Sequence, residues 1–120
     1  MESLVDGDLT IELMDEPGVL RCIWSGRSVA RKPSDLLLPY FEKLLAAAAE
    51  ADKSLEMRFE KLSHFNSSTI GTLIMLIQEA RKKKVPLVLV YDASLKWQRL
   101  SFEALRMFEK GDSLFELRTV

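Results

Sequence analysis

The stretch His64-Phe65-Asn66-Ser67-Ser68-Thr69-Ile70-Gly71 joins two patterns of different period. Before it, Leu55, Met57 and Phe59 alternate with Glu56 and Arg58, and Leu62 follows, the mark of a strand with one buried and one wetter face. After it, Ile70, Leu73, Ile74 and Ile77 recur at i, i+3, i+4 and i+7, which predicts a helix from about Ser67 to Lys83 with this stripe toward the core. The junction is therefore a strand-to-helix turn carrying consecutive hydroxyl residues. The first N–H groups of a helix have no partner within it, so short oxygen-bearing side chains are favoured there as caps. The same free N–H groups, with the helix dipole, favour negative charge. Two readings stand side by side: a plain cap, or a switch in which a phosphate on Ser67 or Ser68 lies beside the positive helix end. Met75 and Leu76 fall off the stripe, so this helix carries more apolar surface than a core face needs.

Downstream, Arg81-Lys82-Lys83-Lys84 ends the helix, where basic residues complement the negative end of the dipole. Leu87-Val88-Leu89-Val90-Tyr91 is continuously apolar, as expected of a central strand covered on both faces. Asp92-Ala93-Ser94 supplies turn and cap residues. Trp97, Leu100, Ala104, Leu105 and Phe108 stripe a third helix, Lys110-Gly111-Asp112 closes it, and Leu114 to Val120 alternates as a last strand.

Upstream, residues 1–8 read as a flexible acidic end, leaving 9–120 as one domain. Leu9, Ile11 and Leu13 alternate with polar neighbours. Asp15-Glu16-Pro17-Gly18 signals a turn, and Val19 to Trp24 is β-prone, so the two runs form a hairpin. After Arg31-Lys32-Pro33, Ser34 or Asp35 caps a helix with Pro39 near its start and Leu37, Tyr40, Phe41, Leu44, Leu45 and Ala48 on one face. The order ββ, α, β, α, β, α, β predicts an α/β fold. It is a mixed sheet of five strands, an N-terminal antiparallel hairpin followed by parallel β-α-β units, with the helices mainly on one face. The hairpin or the last strand leaves a sheet edge open, which allows a monomer or a weak homodimer.

The chain has 120 residues, 48% hydrophobic and 29% charged, enough for one domain with a core. A formal net charge of -1 offers no basic excess for nucleic acid or an anionic membrane. Cys22 stands alone, so no internal disulfide forms, and the first residues lack a signal-peptide pattern, which makes the expected location cytoplasmic. His64 is the sole histidine, no metal-ligand spacing accompanies it, and Gly71 has no glycine-rich phosphate loop around it. The expectation is a protein that is not an enzyme and holds no cofactor or metal.

The element order and the segment Asn66-Ser67-Ser68-Thr69-Ile70-Gly71, preceded by apolar Leu62 and Phe65, together resemble a STAS domain, the fold of bacterial anti-sigma factor antagonists. In that family a strand ends in Asp-Ser-Ser/Thr-Gly-Leu/Ile/Val-Gly at a helix start. The resemblance runs from about Leu9 to Thr119 and is tightest between Leu55 and Phe108. It implies a signal-transduction phosphoprotein. Unmodified, such a domain binds a partner, often an anti-sigma factor-like ATPase that is also a serine kinase; phosphorylation releases it, and a phosphatase resets it. Ser67 matches the family's phosphorylated serine, with Ser68 and Thr69 as fallback acceptors. Asn66, Ser67, Ser68, Thr69 and Gly71 make up the motif and its cap. Gly71, Met75 and Gln78 share a helical face and are the candidates for partner contact. Asn66 stands for the usual Asp and Thr69 for the usual Gly, and the chain stops without the family's terminal helix. An Asn followed by hydroxyl residues and Ile is similar to the motif of SiaC-type regulatory phosphoproteins. The resemblance thus implies a divergent, stand-alone regulator, the alternative being a constitutive interaction or scaffold module with no phosphorylation switch.

Overall fold

A computed structural model describes every residue from Met1 to Val120. One six-stranded sheet runs through it in the order β1-β2-β3-β4-β5-β6. β1 (Leu4–Asp6), β2 (Leu9–Glu16) and β3 (Val19–Ser28) pair antiparallel. β4 (Ser54–Phe65), β5 (Leu87–Tyr91) and β6 (Phe115–Thr119) then add on in parallel beyond β3. The crossovers are α1 (Pro33–Ala51), α2 (Ser67–Lys82) and α3 (Lys96–Glu103), the last running into a 3-10 turn at Ala104–Phe108. Each crossover steps one strand in the same direction, so the right-handed rule puts all the helices on one face. The core lies between that face and the helices: Leu20, Cys22 and Trp24 of β3, Leu55, Met57 and Phe59 of β4, and Leu87 and Leu89 of β5 meet Phe41, Leu44, Leu73, Ile77 and Phe102. Burial pushes the Cys22 thiol up to about 12, which leaves it inert.

The opposite face has no helix. Glu56 is its centre, with a side chain only 7% exposed, flanked by Arg21, Arg58 and Arg118. Val90 lies in register between Arg58 and Arg118 and is buried. The expected double cover of β5 is therefore made on this side by charged side chains laid along the sheet, whose aliphatic stems shield apolar neighbours while their heads stay wet.

Several expectations are corrected by the tertiary structure. Within the supposedly loose residues 1–8, Leu4 to Asp6 pair with β2, giving a sixth strand; three residues are too few for a period to register in sequence. Within β3, opposite Leu9, Gly26 sits at φ +83, and a Cβ there would fall 1.8 Å from the Asp8 carbonyl oxygen, so only glycine lets the β1–β2 turn lie this close to β3. α1 begins at Pro33 without a side-chain cap, so neither Ser34 nor Asp35 caps it, and Pro39 lies inside the helix rather than near its start. Pro39 and Asp35, four residues before it, are both exposed, so water can satisfy the carbonyl left without a donor. The buried stripe of α2 is Thr69, Thr72, Leu73, Leu76, Ile77 and Ala80, rotated from the expected one, with Ile70 and Ile74 only part-buried. Two buried threonines, polar by type, hid that rotation. In the third helical segment Gln98, Phe102 and Leu105 turn inward while Leu100 is 62% exposed. Gln98, Phe102 and Leu105 follow one another at four and three residues, an ordinary helical stripe rotated from the expected one, and its first member, polar by type, hid it.

The β6 edge of the sheet is guarded. The outward N–H of Leu117 in β6 donates to Glu109 at 3.0 Å, so a side chain occupies the place a further strand would take. No helix is long and apolar enough to cross a membrane.

Candidate functional site

The end of β4 is pinned before α2 begins. Phe65 meets Trp97 edge-on at 5.1 Å and packs on Phe102 at 5.4 Å and Phe59 at 6.4 Å between ring centres. β4 pairs with β3 as far as Phe65 but with β5 only from Leu55 to Arg58, so its later carbonyls on the β5 side need other partners. Gln98, fully buried, supplies them: its Nε2 donates to the carbonyls of Phe59 and Leu62, while its Oε1 accepts the Asp92 N–H at 2.8 Å. One side chain thus ties α3, the β5 exit and the β4 exit together. Such a bond must be made, because an unsatisfied buried polar group costs about 1–3 kcal/mol.

Asn66 follows at the N-cap, with β-region backbone at φ -90, ψ 172. Its Oδ1 accepts the Thr69 N–H at 2.9 Å and the Thr69 hydroxyl at 2.8 Å, and its Nδ2 donates to the Ala30 carbonyl at 2.9 Å. The Asn66 N–H donates to the Ser28 carbonyl at 3.1 Å. Ser28 and Thr69 also share a hydrogen bond between hydroxyls at 2.8 Å, and both residues are buried. The lock uses the amide as an amide: an aspartate could accept from Thr69 but could not donate to Ala30. It also gives the side chain of Thr69 a task that a glycine could not perform.

Of the cap candidates, Asn66 alone caps through its side chain. Thr69 is 0% exposed and closes the lock, so as an acceptor for another protein's kinase site it is inaccessible. The side chains of Ser67 and Ser68 are not part of the cap; both residues are exposed on the first turn of α2. Gly71, Met75 and Gln78 are exposed along the same helix, and a Cβ at Gly71 would meet nothing within 4 Å. The expected cluster of exposed positions is therefore brought onto one helix. Ser67, Gly71, Met75 and Gln78 follow one another at four, four and three residues, which keeps them on one face.

His64 is exposed, its ring 6.1 Å from that of Trp97. None of the molecule's cavities is lined by His64, Ser67 or Ser68. A cavity of about 300 Å³ does adjoin the lock, at the exit of β3, between Asp6, Leu9, Arg27, Ala30, Pro33 and Leu37. No cluster of His, Cys, Asp and Glu suits a metal ion. Sequence reasoning missed Ser28, Ala30 and Gln98. The only signal for Ser28 and Gln98 is polar character next to apolar runs, which many surface residues share, and Ala30 takes part through its backbone carbonyl, which no side-chain pattern marks.

No protein-family profile and no curated protein matches the chain. A solved structure does: an anti-sigma factor antagonist from Mycobacterium paratuberculosis superposes with a TM-score of 0.60 at 16% identity, covering 96% of this chain and 90% of that one. The fold is therefore STAS-like, as the motif and the element order imply.

Proposed function

We propose that this chain is a stand-alone, STAS-like regulatory protein that binds a partner protein across the exposed face of α2 and is controlled by phosphorylation of Ser67, with Ser68 as the fallback acceptor. The observation that carries this reading is the division of labour at the helix start: Asn66, Thr69 and Ser28 hold the turn, and the two serines, free of that duty, face solvent. A phosphate adds about -1.5 to -2 charge and acceptor oxygens. On the free domain it sits at the positive end of α2 and leaves the lock intact. Against a partner with no matching cation, the same charge must be desolvated, and binding weakens. The fold shared with an anti-sigma factor antagonist supports a partner of the anti-sigma factor-like ATPase kind, with a phosphatase resetting the switch, in a bacterial cytoplasm. The test is to incubate the protein with the ATPase it captures and ATP, map phosphopeptides, and compare the affinities of the Ser67→Ala and Ser67→Asp variants. Phosphate on Ser67 and a loss of affinity in the Asp variant alone are expected; no phosphate on either serine would end this reading.

A second reading, a constitutive scaffold, is favoured by the neutral Asn66, which puts no carboxylate beside Ser67. It predicts equal partner affinity for both Ser67 variants.

A further inference from the structure

A groove of about 220 Å³ runs between α1 and α2, floored by Phe41, Leu45 and Leu76 and walled by Leu38 and Met75. It is smaller than the roughly 300–1,000 Å³ of small-molecule sites and suits protruding side chains of a protein. Its charged lining is acidic from both sides: Glu42 on α1, which forms no ion pair, and Glu79 on α2, held only loosely by the exposed Lys82 at 3.5 Å. Met75 on the wall is 44% exposed, a flexible apolar side chain suited to adapting around a guest.

The complementary shape is on the same molecule. α3 and the turn after it expose Leu100 at 62% and Met107 at 77%, where a soluble face would carry polar residues. Lys96, Arg99 and Leu100 share a helical face, at i, i+3 and i+4. Lys96 forms no ion pair, and the Arg99 guanidinium donates only to the Ala93 carbonyl at 3.0 Å. Glu103, the next residue on that face, is occupied by Arg106 and Tyr91. An apolar knob with two cations beside it thus faces outward in a chain whose own apolar groove carries one carboxylate on each wall.

We infer that the α1–α2 groove of one copy receives Leu100 of a second copy, with Lys96 and Arg99 set against Glu42 and Glu79. The contact is heterologous, groove to helix, and leaves the lock at Asn66 untouched. It is independent of phosphorylation. Because Met75 and Gln78 line the groove and lie on the proposed partner face, self-association and partner binding exclude each other.

Charge reversal tests this. The proteins are unmodified full-length chains followed by sedimentation velocity across roughly 0.02–1 mM, the range for a small contact. The wild type is expected to self-associate, and more weakly as salt rises, because the pairs are exposed. Glu42→Lys with Glu79→Lys, and separately Lys96→Glu with Arg99→Glu, each place like charges across the contact and should weaken association about tenfold or more. Mixed one to one, the two reversed proteins should associate again. Leu100→Ser, at an exposed site that leaves the fold unchanged, should also abolish association. A wild type that stays monomeric to the highest concentration overturns the proposal, as does a reversed variant that associates like wild type or a folded mixture that fails to recover. Each of these results leaves the phosphorylation reading standing, since no kinase or partner enters the experiment.

Discussion

The hydroxyls of Ser28 and Thr69 meet at 2.8 Å beneath the surface, binding the last residue of β3 to the first turn of α2. With Asn66 reaching from Thr69 to Ala30, they make the helix start a rigid object rather than a loop. The exposed serines are thereby presented from a fixed platform.

This pair should be energetically coupled. Thr69→Val keeps the volume but strands the Ser28 hydroxyl, and should cost about 1–3 kcal/mol, the penalty for a buried group without a partner. Adding Ser28→Ala should cost less than the sum of the single changes, because the stranded hydroxyl is then gone. Urea unfolding of the four proteins measures the coupling, and strict additivity would contradict the lock.

Asn66→Asp restores the residue usual in the STAS motif, yet it should destabilise this chain. The carboxylate gains about 0.3–1 kcal/mol from the helix dipole but loses the solvent-exposed bond to the Ala30 carbonyl, worth about 0.5–1.5 kcal/mol, and then faces that oxygen, so a small net loss of up to about 1 kcal/mol is expected. Thermal denaturation at neutral pH checks the sign. A more stable variant would mean that the Ala30 contact contributes little.

Ser67→Asp should leave the domain folded and slightly more stable. Position 67 opens α2, where a negative charge is worth about 0.3–1 kcal/mol. Ser67→Ala should be nearly neutral, since Asn66 caps the helix. A marked loss of stability in either variant would show that the serine supports the turn after all, and partner-binding data on it would then need a folding control.

Acid should weaken the far end of the sheet. The Arg106 guanidinium, and then the Tyr91 hydroxyl, hold the Glu103 carboxyl below its ordinary value of 4.5. The folded carboxylate binds a proton less readily than the unfolded one, so its contribution is complete above 4.5, declines as pH falls below that, and is gone once pH passes the lower folded value. The urea midpoint of the wild type should drop across this window more steeply than that of Glu103→Gln. Parallel curves would show that this carboxylate is not linked to folding.

Much of the architecture is legible in the chain because it rests on local periods. The alternation of Leu55, Met57 and Phe59, the apolar run at Leu87 to Tyr91 and the helical stripe from Leu37 to Ala48 each mark an element that the structure forms. The turn at Asn66 is equally local, since a cap is an interaction across three residues. β1 is not legible, because its three residues become a strand only through hydrogen bonds to β2. The true inner face of α2 is hidden as well: Thr69 and Thr72 look like surface residues until the exit of β3 gives Thr69 a buried partner.

The sequence by itself determined the α/β order, the strand-to-helix turn and the placing of hydroxyls at a helix start, since each depends on residues within a few positions of one another. Only the tertiary structure decided which of those hydroxyls faces water and which is sealed, why an amide stands at position 66, and that an acidic groove and a basic knob coexist on one molecule. Those facts depend on contacts such as Ser28 with Thr69 and Ala30 with Asn66, between residues far apart in the chain, and no local period encodes such distances.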